Sequence, residues 1–213
     1  MQYKAPVWLK NSHAQTIWPL LIQGARPPMK RKRWNTPDGD FIDLDFLPRQ
    51  GARPLLILFH GLEGSSHSHY ARSIMRAAFH RHWNAVVVHF RTCSGEPNRL
   101  ARSYHAGDTE ELDWILLKLA RRYPDVPRYA AGVSLGGNAL LCWLGKQGPS
   151  AHKLLDKAVA ISAPLDLAAA GEALEQGFSR IYAQYLLRSM RRTASKKAER
   201  FPNLFDAPRA INA

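Results

Sequence analysis

The chain of 213 residues is poor in cysteine, in acidic side chains and in long apolar runs, and each shortage excludes some classes of protein. Two cysteines, Cys93 and Cys142, are too few for the disulfide framework of a small secreted domain. No apolar run approaches the ~20 residues that a helix needs to cross a bilayer, so membrane contact is expected to be peripheral at most. No charged segment followed by an apolar one marks a signal peptide, and we predict a cytoplasmic protein.

The shortage of acidic residues leaves a strongly basic chain, with 17 Asp and Glu against 30 Lys and Arg and a formal net charge of +13. The basic residues are densest at 30–33 and 188–200. Such a charge attracts nucleic acid, anionic lipid or acidic substrates without selecting one of them. Because helices commonly turn charge to solvent, we interpret these runs as solvated faces. We predict no nucleic-acid partner and leave peripheral contact with an anionic membrane open.

Apolar runs of strand length are what the chain does have. The segment 31–46 alternates apolar and polar residues around Asp38 and Gly39, which predicts an antiparallel hairpin. Parallel strands are predicted at 55–59, 85–90, 128–133 and 157–162. Helices are predicted between them, one of them beginning at the N-cap Asp108 and ending before Pro124. This alternation predicts an α/β fold with a mostly parallel, doubly wound sheet, followed by a purely helical segment at 168–200.

The hexapeptide GVSLGG places Ser134 between Gly132 and Gly136, where a predicted strand gives way to a predicted helix. In that setting G-x-S-x-G predicts a nucleophile elbow, a strained turn that holds a serine hydroxyl above the sheet and requires small neighbours. The matching oxyanion hole is expected to use the backbone N–H groups of Leu135 and of Leu62, the latter in the loop HGLEGSS. Together these features predict the α/β-hydrolase fold, with Ser134 as the catalytic nucleophile.

A family resemblance runs from about Trp8 to Phe201. The segments PDGDFIDLDF, HGLEGSS, HFRTCSGEPNR, SYHAGDTEEL, GVSLGGNALL and FSRIYAQYLL, preceded by NSHAQTIWPLL, resemble the YheT-like hydrolases, the bacterial branch of the family that includes the eukaryotic α/β-hydrolase-domain proteins one to three. The resemblance implies a serine hydrolase acting on short-chain or lipid-like carboxylic esters, with no metal or organic cofactor, and Ser134 matches the family's nucleophile.

The resemblance also implies that the catalytic acid and histidine lie further along, after two more strands. No histidine follows His152, and no position here matches either group. We therefore expect residues 1–213 to be a single, incomplete α/β-hydrolase domain with its C-terminal strands missing, in which 168–200 begins a helical cap over the site. On this expectation the chain is inactive or weak by itself.

Three residues already present are minor candidates as partners of Ser134. Asp166 follows the fourth parallel strand, where some α/β-hydrolases keep their acid, although an N-cap is the commoner role of such a residue. His60 and His89 end strands on the side where this fold binds ligands. We expect His60 to shape the oxyanion loop through a backbone hydrogen bond and His89 to close the floor of the site.

Other reactive side chains are interpreted as structural. The spacing of His67, His69, His105 and Asp108 matches no metal-ligand pattern, so no metal site is predicted. Cys93 has no adjacent base and is expected to be a small buried residue. The alternative to an esterase is a protein that keeps this fold as a non-catalytic binding or interaction module. The sequence leaves the oligomeric state open.

Overall fold

One mixed sheet organises the computed structural model, which describes residues 4–212 and the side chains of residues 4–210. Its strands in this part of the chain are β1 (Lys30–Asn35), β2 (Phe41–Phe46), β3 (Leu55–Phe59), β4 (Asn84–Val88), β5 (Arg128–Val133) and β6 (Lys157–Ile161). Their order across the sheet is β1-β2-β4-β3-β5-β6. The pairs β1–β2 and β2–β4 are antiparallel, and β4, β3, β5 and β6 run parallel. The predicted mostly parallel α/β sheet is confirmed.

Helices cover both faces of the sheet. The helices of the described residues are α1 (Ser12–Leu21), α2 (His69–His80), α3 (Thr109–Arg122), α4 (Leu135–Gln147), α5 (Leu167–Leu174), α6 (Arg180–Arg200) and α7 (Ala207–Asn212), with short 3₁₀ helices at Val7–Leu9, Gly148–Lys153 and Gly177–Ser179. Helix α2 buries Met75 in one cluster with Leu58 and Val87. Helices α3 and α4 bury Ile115 and Trp143 in a second cluster. Because side chains alternate across a strand, these clusters are the two faces of a doubly wound sheet.

The antiparallel hairpin forms where the alternating segment predicted it. The Thr36 N–H donates to the Asp40 carbonyl oxygen, and the Gly39 N–H donates to the Thr36 carbonyl oxygen, both at 3.0 Å. Gly39 adopts a φ of 85°, which glycine reaches without strain. Strand β2 then pairs with β4, with Leu44 opposite Val88, so the hairpin extends the parallel strands on one side.

The predicted helical segment at 168–200 contains helices and no strand, and it is divided where α5 ends at Leu174 and Gly177 turns with a φ of 53° before α6 begins at Arg180. The chain departs from the sequence expectations near its start. Helix α1 lies where the sequence showed no period. Its N-cap is Asn11, whose side-chain oxygen accepts hydrogen bonds from the N–H groups of His13 and Ala14 at 2.9 and 3.2 Å.

Candidate active site

Ser134 occupies the turn from β5 into α4, with a φ of 52° and a ψ of −120°. A Cβ atom at Gly132 would lie 2.4 Å from the Gly136 carbonyl oxygen, and one at Gly136 would lie 2.4 Å from the His60 carbonyl oxygen. Both distances are far inside van der Waals contact, so the turn requires glycine on each side. The Ser134 N–H donates to the Ile161 carbonyl oxygen at 2.8 Å. Strand β6 therefore fixes the position of the turn.

The loop that follows β3 passes directly against this turn. A Cβ atom at Gly61 would lie 3.2 Å from the Cβ atom of Ser134. The Gly61 N–H donates to the hydroxyl oxygen of Tyr70, in α2, at 2.8 Å. Burial raises the pKa of the Tyr70 phenol, which keeps it neutral. Helix α2 thus holds the loop close to the serine.

His60, the first residue after β3, is fully buried, and backbone groups occupy both of its ring nitrogens. Its Nε2 atom accepts a hydrogen bond from the Phe90 N–H at 3.0 Å, so the neutral ring carries its proton on Nδ1, which donates to the Gly61 carbonyl oxygen at 2.7 Å. Burial lowers the pKa of His60 to about 3. The ring has no free lone pair with which to take a proton from a substrate or a hydroxyl.

Leu62 and Leu135 line one cavity of about 540 Å³. Leu135 is the first residue of α4, where an N–H group has no acceptor within the helix and lies at the positive end of the helix dipole. Among the described residues, none accepts a hydrogen bond from the backbone N–H of Leu62 or Leu135. The remaining wall is mostly apolar and includes Tyr104, Ala106, Leu167, Met190, Leu204 and Phe205. The cavity therefore offers apolar space next to two uncommitted backbone donors.

Glu63 joins the loop after β3 to helix α6, and sequence reasoning missed this contact. Its carboxylate accepts hydrogen bonds from the Tyr104 hydroxyl at 3.1 Å, the Ser189 hydroxyl at 2.9 Å and the Thr193 hydroxyl at 2.8 Å. Its own φ is 52°, and its N–H donates to the Tyr104 hydroxyl oxygen at 2.9 Å. The one feature of the sequence that could have indicated this contact is a single acidic residue inside the small-residue loop HGLEGSS.

His89 is buried beside an ion-pair network centred on Asp45. Its Nε2 atom lies 2.9 Å from Asp45 Oδ2, and the same carboxylate accepts hydrogen bonds from Arg31 at 2.8 and 3.0 Å and from Ser66 at 2.5 Å. Burial alone would raise the pKa of Asp45, but the hydrogen bonds from His89, Arg31 and Ser66 outweigh it and hold that pKa well below its ordinary range. These contacts tie β2 to the loop after β3.

Asp166 is the N-cap of α5 and is exposed. Its Oδ1 atom accepts hydrogen bonds from the N–H groups of Ala168 and Ala169 at 2.9 and 3.0 Å. No hydrogen bond joins it to a histidine among the described residues. The structure therefore does not bring Asp166, His60 and His89 together with Ser134 as a hydrogen-bonded triad.

The described part of the chain contains no group of three or more His, Cys, Asp or Glu side chains arranged to hold a metal ion. Asp108 caps α3 and pairs with Arg102 at 2.7 and 2.8 Å, and His67 lies 3.2 Å from Arg26. Burial raises the pKa of the Cys93 thiol to about 12, so it stays protonated and unreactive. Within residues 4–212, no helix is long and apolar enough to cross a membrane.

Comparison with known proteins agrees with this geometry. The model of the alpha/beta hydrolase fold matches residues 54–205. Among solved structures, the Pyrococcus furiosus esterase Pf2001 superposes with a TM-score of 0.57 at 19% identity, over 78% of this chain and 72% of that one. The Xanthomonas campestris serine hydrolase XC6422 superposes with a TM-score of 0.52 at 19% identity, over 68% and 66% of the two chains. At these identities the likeness concerns the fold.

Two curated relatives cover most of this chain. An Escherichia coli (strain K12) protein named "Putative esterase YheT" is 44% identical over 196 residues, which are 90% of this chain and 57% of that protein. The human protein named "Phospholipase ABHD3" is 28% identical over 221 residues, which are 99% of this chain and 54% of that protein. The chain therefore spans a little over half the length of these relatives.

Proposed function

Since the chain belongs to the α/β-hydrolase family, we propose that it supplies the nucleophile and the oxyanion hole of a serine hydrolase that cleaves carboxylic esters. The observation that carries the proposal is the left-handed turn at Ser134, packed against the Gly61 loop and followed by a helix N-terminus. The relatives named as an esterase and a phospholipase support ester substrates for this chain as well.

In this reaction the Ser134 Oγ atom attacks the ester carbonyl carbon, and the C=O electron pair moves onto the oxygen. The backbone N–H groups of Leu62 and Leu135 donate hydrogen bonds to that oxyanion, at the positive end of the α4 dipole. Collapse of the intermediate expels the alcohol, which takes up the proton that a base has removed from Ser134, and leaves an acyl group on Ser134. Water then attacks this acyl group and releases the carboxylic acid. The mostly apolar cavity lined by both leucines accommodates a short-chain or lipid-like acyl group.

The proton of the Ser134 hydroxyl needs a base, and the described side chains do not supply one by hydrogen bonding. No hydrogen bond to Ser134 Oγ forms within residues 4–210, His60 is committed to backbone groups, and His89 is bonded to Asp45. Loss of the histidine of a serine-protease triad lowers turnover by about 10⁶, or roughly 8 kcal/mol of transition-state stabilisation. We expect the 213-residue chain alone to be nearly inert.

Residues 168–200 form the start of a cap in this proposal. Met190, Thr193, Ala194 and Lys197 of α6 line the cavity that holds Leu62 and Leu135. The cap is anchored by the hydrogen bonds from Ser189 and Thr193 to Glu63. Domain extent and a cytoplasmic location stay predictions.

A fluorophosphonate probe tests the nucleophile assignment, with free imidazole added to replace the missing base. We expect slow labelling that imidazole accelerates and that Ser134→Ala abolishes. Ser65→Ala, which changes another half-buried serine of the site loops, is the control and is expected to label like the parent chain. Labelling that persists in Ser134→Ala contradicts the nucleophile assignment. Fast labelling without imidazole contradicts the absence of a base but not the role of Ser134.

A non-catalytic binding module is the second candidate, favoured by the lack of a hydrogen-bonded base at Ser134. It predicts that an ester or its product acid binds in the cavity without turnover. Hydrolysis of p-nitrophenyl butyrate by the parent chain above the rate of Ser134→Ala, with imidazole present, excludes this second reading.

A further inference from the structure

Exposed apolar side chains are concentrated in residues 7–22 and in residues 178–185, which run from the 3₁₀ helix Gly177–Ser179 into the start of α6. We refer to the surface of these two segments as the α1–α6 surface. Trp8, Leu21 and Tyr185 are 64%, 72% and 73% exposed. Neither α1 nor α6 contains a fully buried residue. A contiguous apolar area of this kind on a folded chain marks an interaction site.

The two segments form one continuous surface. The rings of Trp8 and Trp18 meet edge to face with centroids 4.8 Å apart. His13 joins α1 to the other segment, because its ring lies 4.6 Å from that of Phe178 and its Nδ1 atom is 3.1 Å from the Tyr182 hydroxyl. Both segments therefore present their apolar side chains together.

Charge around this surface is predominantly positive. Residues 1–37 contain seven Lys and Arg and no Asp or Glu, and residues 176–198 contain six Lys and Arg and no Asp or Glu. Some of these cations pair elsewhere, since Arg31 and Arg33 bond to Asp45 and Asp43 of β2. Exposed Lys10 and Arg180 lie in or beside the apolar segments themselves, and exposed Glu175 lines the same groove as Arg180. The surface thus combines apolar side chains with a net positive charge.

We propose that the α1–α6 surface docks on an anionic lipid bilayer. A helix that lies in the membrane interface inserts its apolar side chains, keeps basic residues at the headgroups and uses tryptophan and tyrosine at the boundary. The α1–α6 surface has all three features. A partner protein with an apolar face would not require both segments to lack acidic residues, whereas an anionic membrane would. Binding requires neither a spanning helix nor ester hydrolysis, so this inference stands independently of the proposed enzyme activity.

Vesicle flotation measures the binding directly. The parent chain is expected to float with phosphatidylcholine vesicles that contain 30% phosphatidylglycerol, and to lose most of that binding with pure phosphatidylcholine or in 0.5 M salt. Arg180→Gln is expected to weaken partitioning about fivefold, as the loss of one basic residue near the headgroups requires. Leu20→Ser is expected to weaken it several-fold through lost apolar insertion.

Matched controls come from α3, which lies outside this surface. Leu117 is 37% exposed against 45% for Leu20, so Leu117→Ser makes the same chemical change at similar exposure. Arg121→Gln is the corresponding control for charge, and circular dichroism checks that each variant folds. Equal binding to neutral and anionic vesicles, or equal losses in the α3 controls, overturns the proposal. Self-association in sedimentation velocity that Leu20→Ser abolishes, without vesicle binding by the parent chain, assigns the surface to a second copy and also overturns it.

Discussion

Adding one methyl group at Gly136 tests the packing that creates the serine turn. In Gly136→Ala the new Cβ atom would lie 2.4 Å from the His60 carbonyl oxygen and 2.5 Å from the Phe59 carbonyl oxygen. Favourable contact begins near 3.5 Å, so α4 and the end of β3 must separate by about 1 Å. Both obstacles are backbone atoms of buried residues, which cannot rotate away as a side chain could.

Overpacking costs typically 1–3 kcal/mol, and rigid neighbours place Gly136→Ala at the upper end, at about 3 kcal/mol of unfolding free energy. For a chain of this size, that loss lowers Tm by roughly 6–12 °C. Gly145→Ala in the same helix is the matched control, because a Cβ atom there meets nothing within 4 Å. Replacing an exposed helical glycine by alanine is expected to raise stability by about 0.5–1 kcal/mol.

Urea unfolding, followed by tryptophan fluorescence, compares the two variants with the parent chain. The expected difference between Gly136→Ala and Gly145→Ala is about 4 kcal/mol with an unchanged dependence on urea. If the unfolding free energies of the two variants agree within about 0.5 kcal/mol, the close approach of α4 to the end of β3 is not rigid. The account of why this turn needs glycine would then be refuted.

Three other predictions concern charge, thiol reactivity and the attachment of α6. Asp45→Asn is expected to destabilise the chain by about 2 kcal/mol at pH 7, because it removes the buried charged acceptor that Arg31, Ser66 and His89 share. Since the pKa of Asp45 is lowered on folding, the difference in stability from the parent chain should shrink as pH falls below about 3.9, and a difference that grows in acid contradicts the assignment. A thiol reagent at pH 8 is expected to modify exposed Cys142 rapidly and Cys93 only on unfolding, because burial raises the pKa of Cys93 to about 12. Rapid modification of both thiols, or rapid modification that persists in Cys142→Ser, contradicts this expectation. Glu63→Ala is expected to speed tryptic cleavage within α6 several-fold, because the acceptors of Ser189 and Thr193 are lost, whereas Glu110→Ala should not.

Local chemistry explains which elements the sequence predicted. The turn at Gly39 and the alternating pattern beside it depend on residues a few positions apart, and the strand at 55–59 has the bounds that its apolar run predicted. The sequence did not predict helix α1, because the helix is short and contains Pro19, a residue that normally ends or kinks a helix.

Contacts between distant segments explain what the sequence could not predict at the site. The bond from Ser189 to Glu63 depends on α6 crossing the loop after β3, and neither residue's neighbours signal that crossing. Similarly, Asp45 occupies a polar position of an alternating strand, which predicts exposure, yet Arg31, Ser66 and His89 bury it. The serine turn was predictable because its motif combines all the local requirements in six residues.

The strand order has a consequence for how this chain emerges from the ribosome. Strand β3 lies between β4 and β5, and the chain from Phe59 to Arg128 must be synthesised before its second edge can pair. At ordinary elongation rates this takes on the order of ten seconds. During that time one edge of β3, with the apolar sequence LLILF, has unpaired backbone groups, and such an edge can pair with other unfinished chains and cause aggregation. Synthesis of this protein should therefore depend on chaperones that shield nascent strands, and most strongly before β5 has left the ribosome.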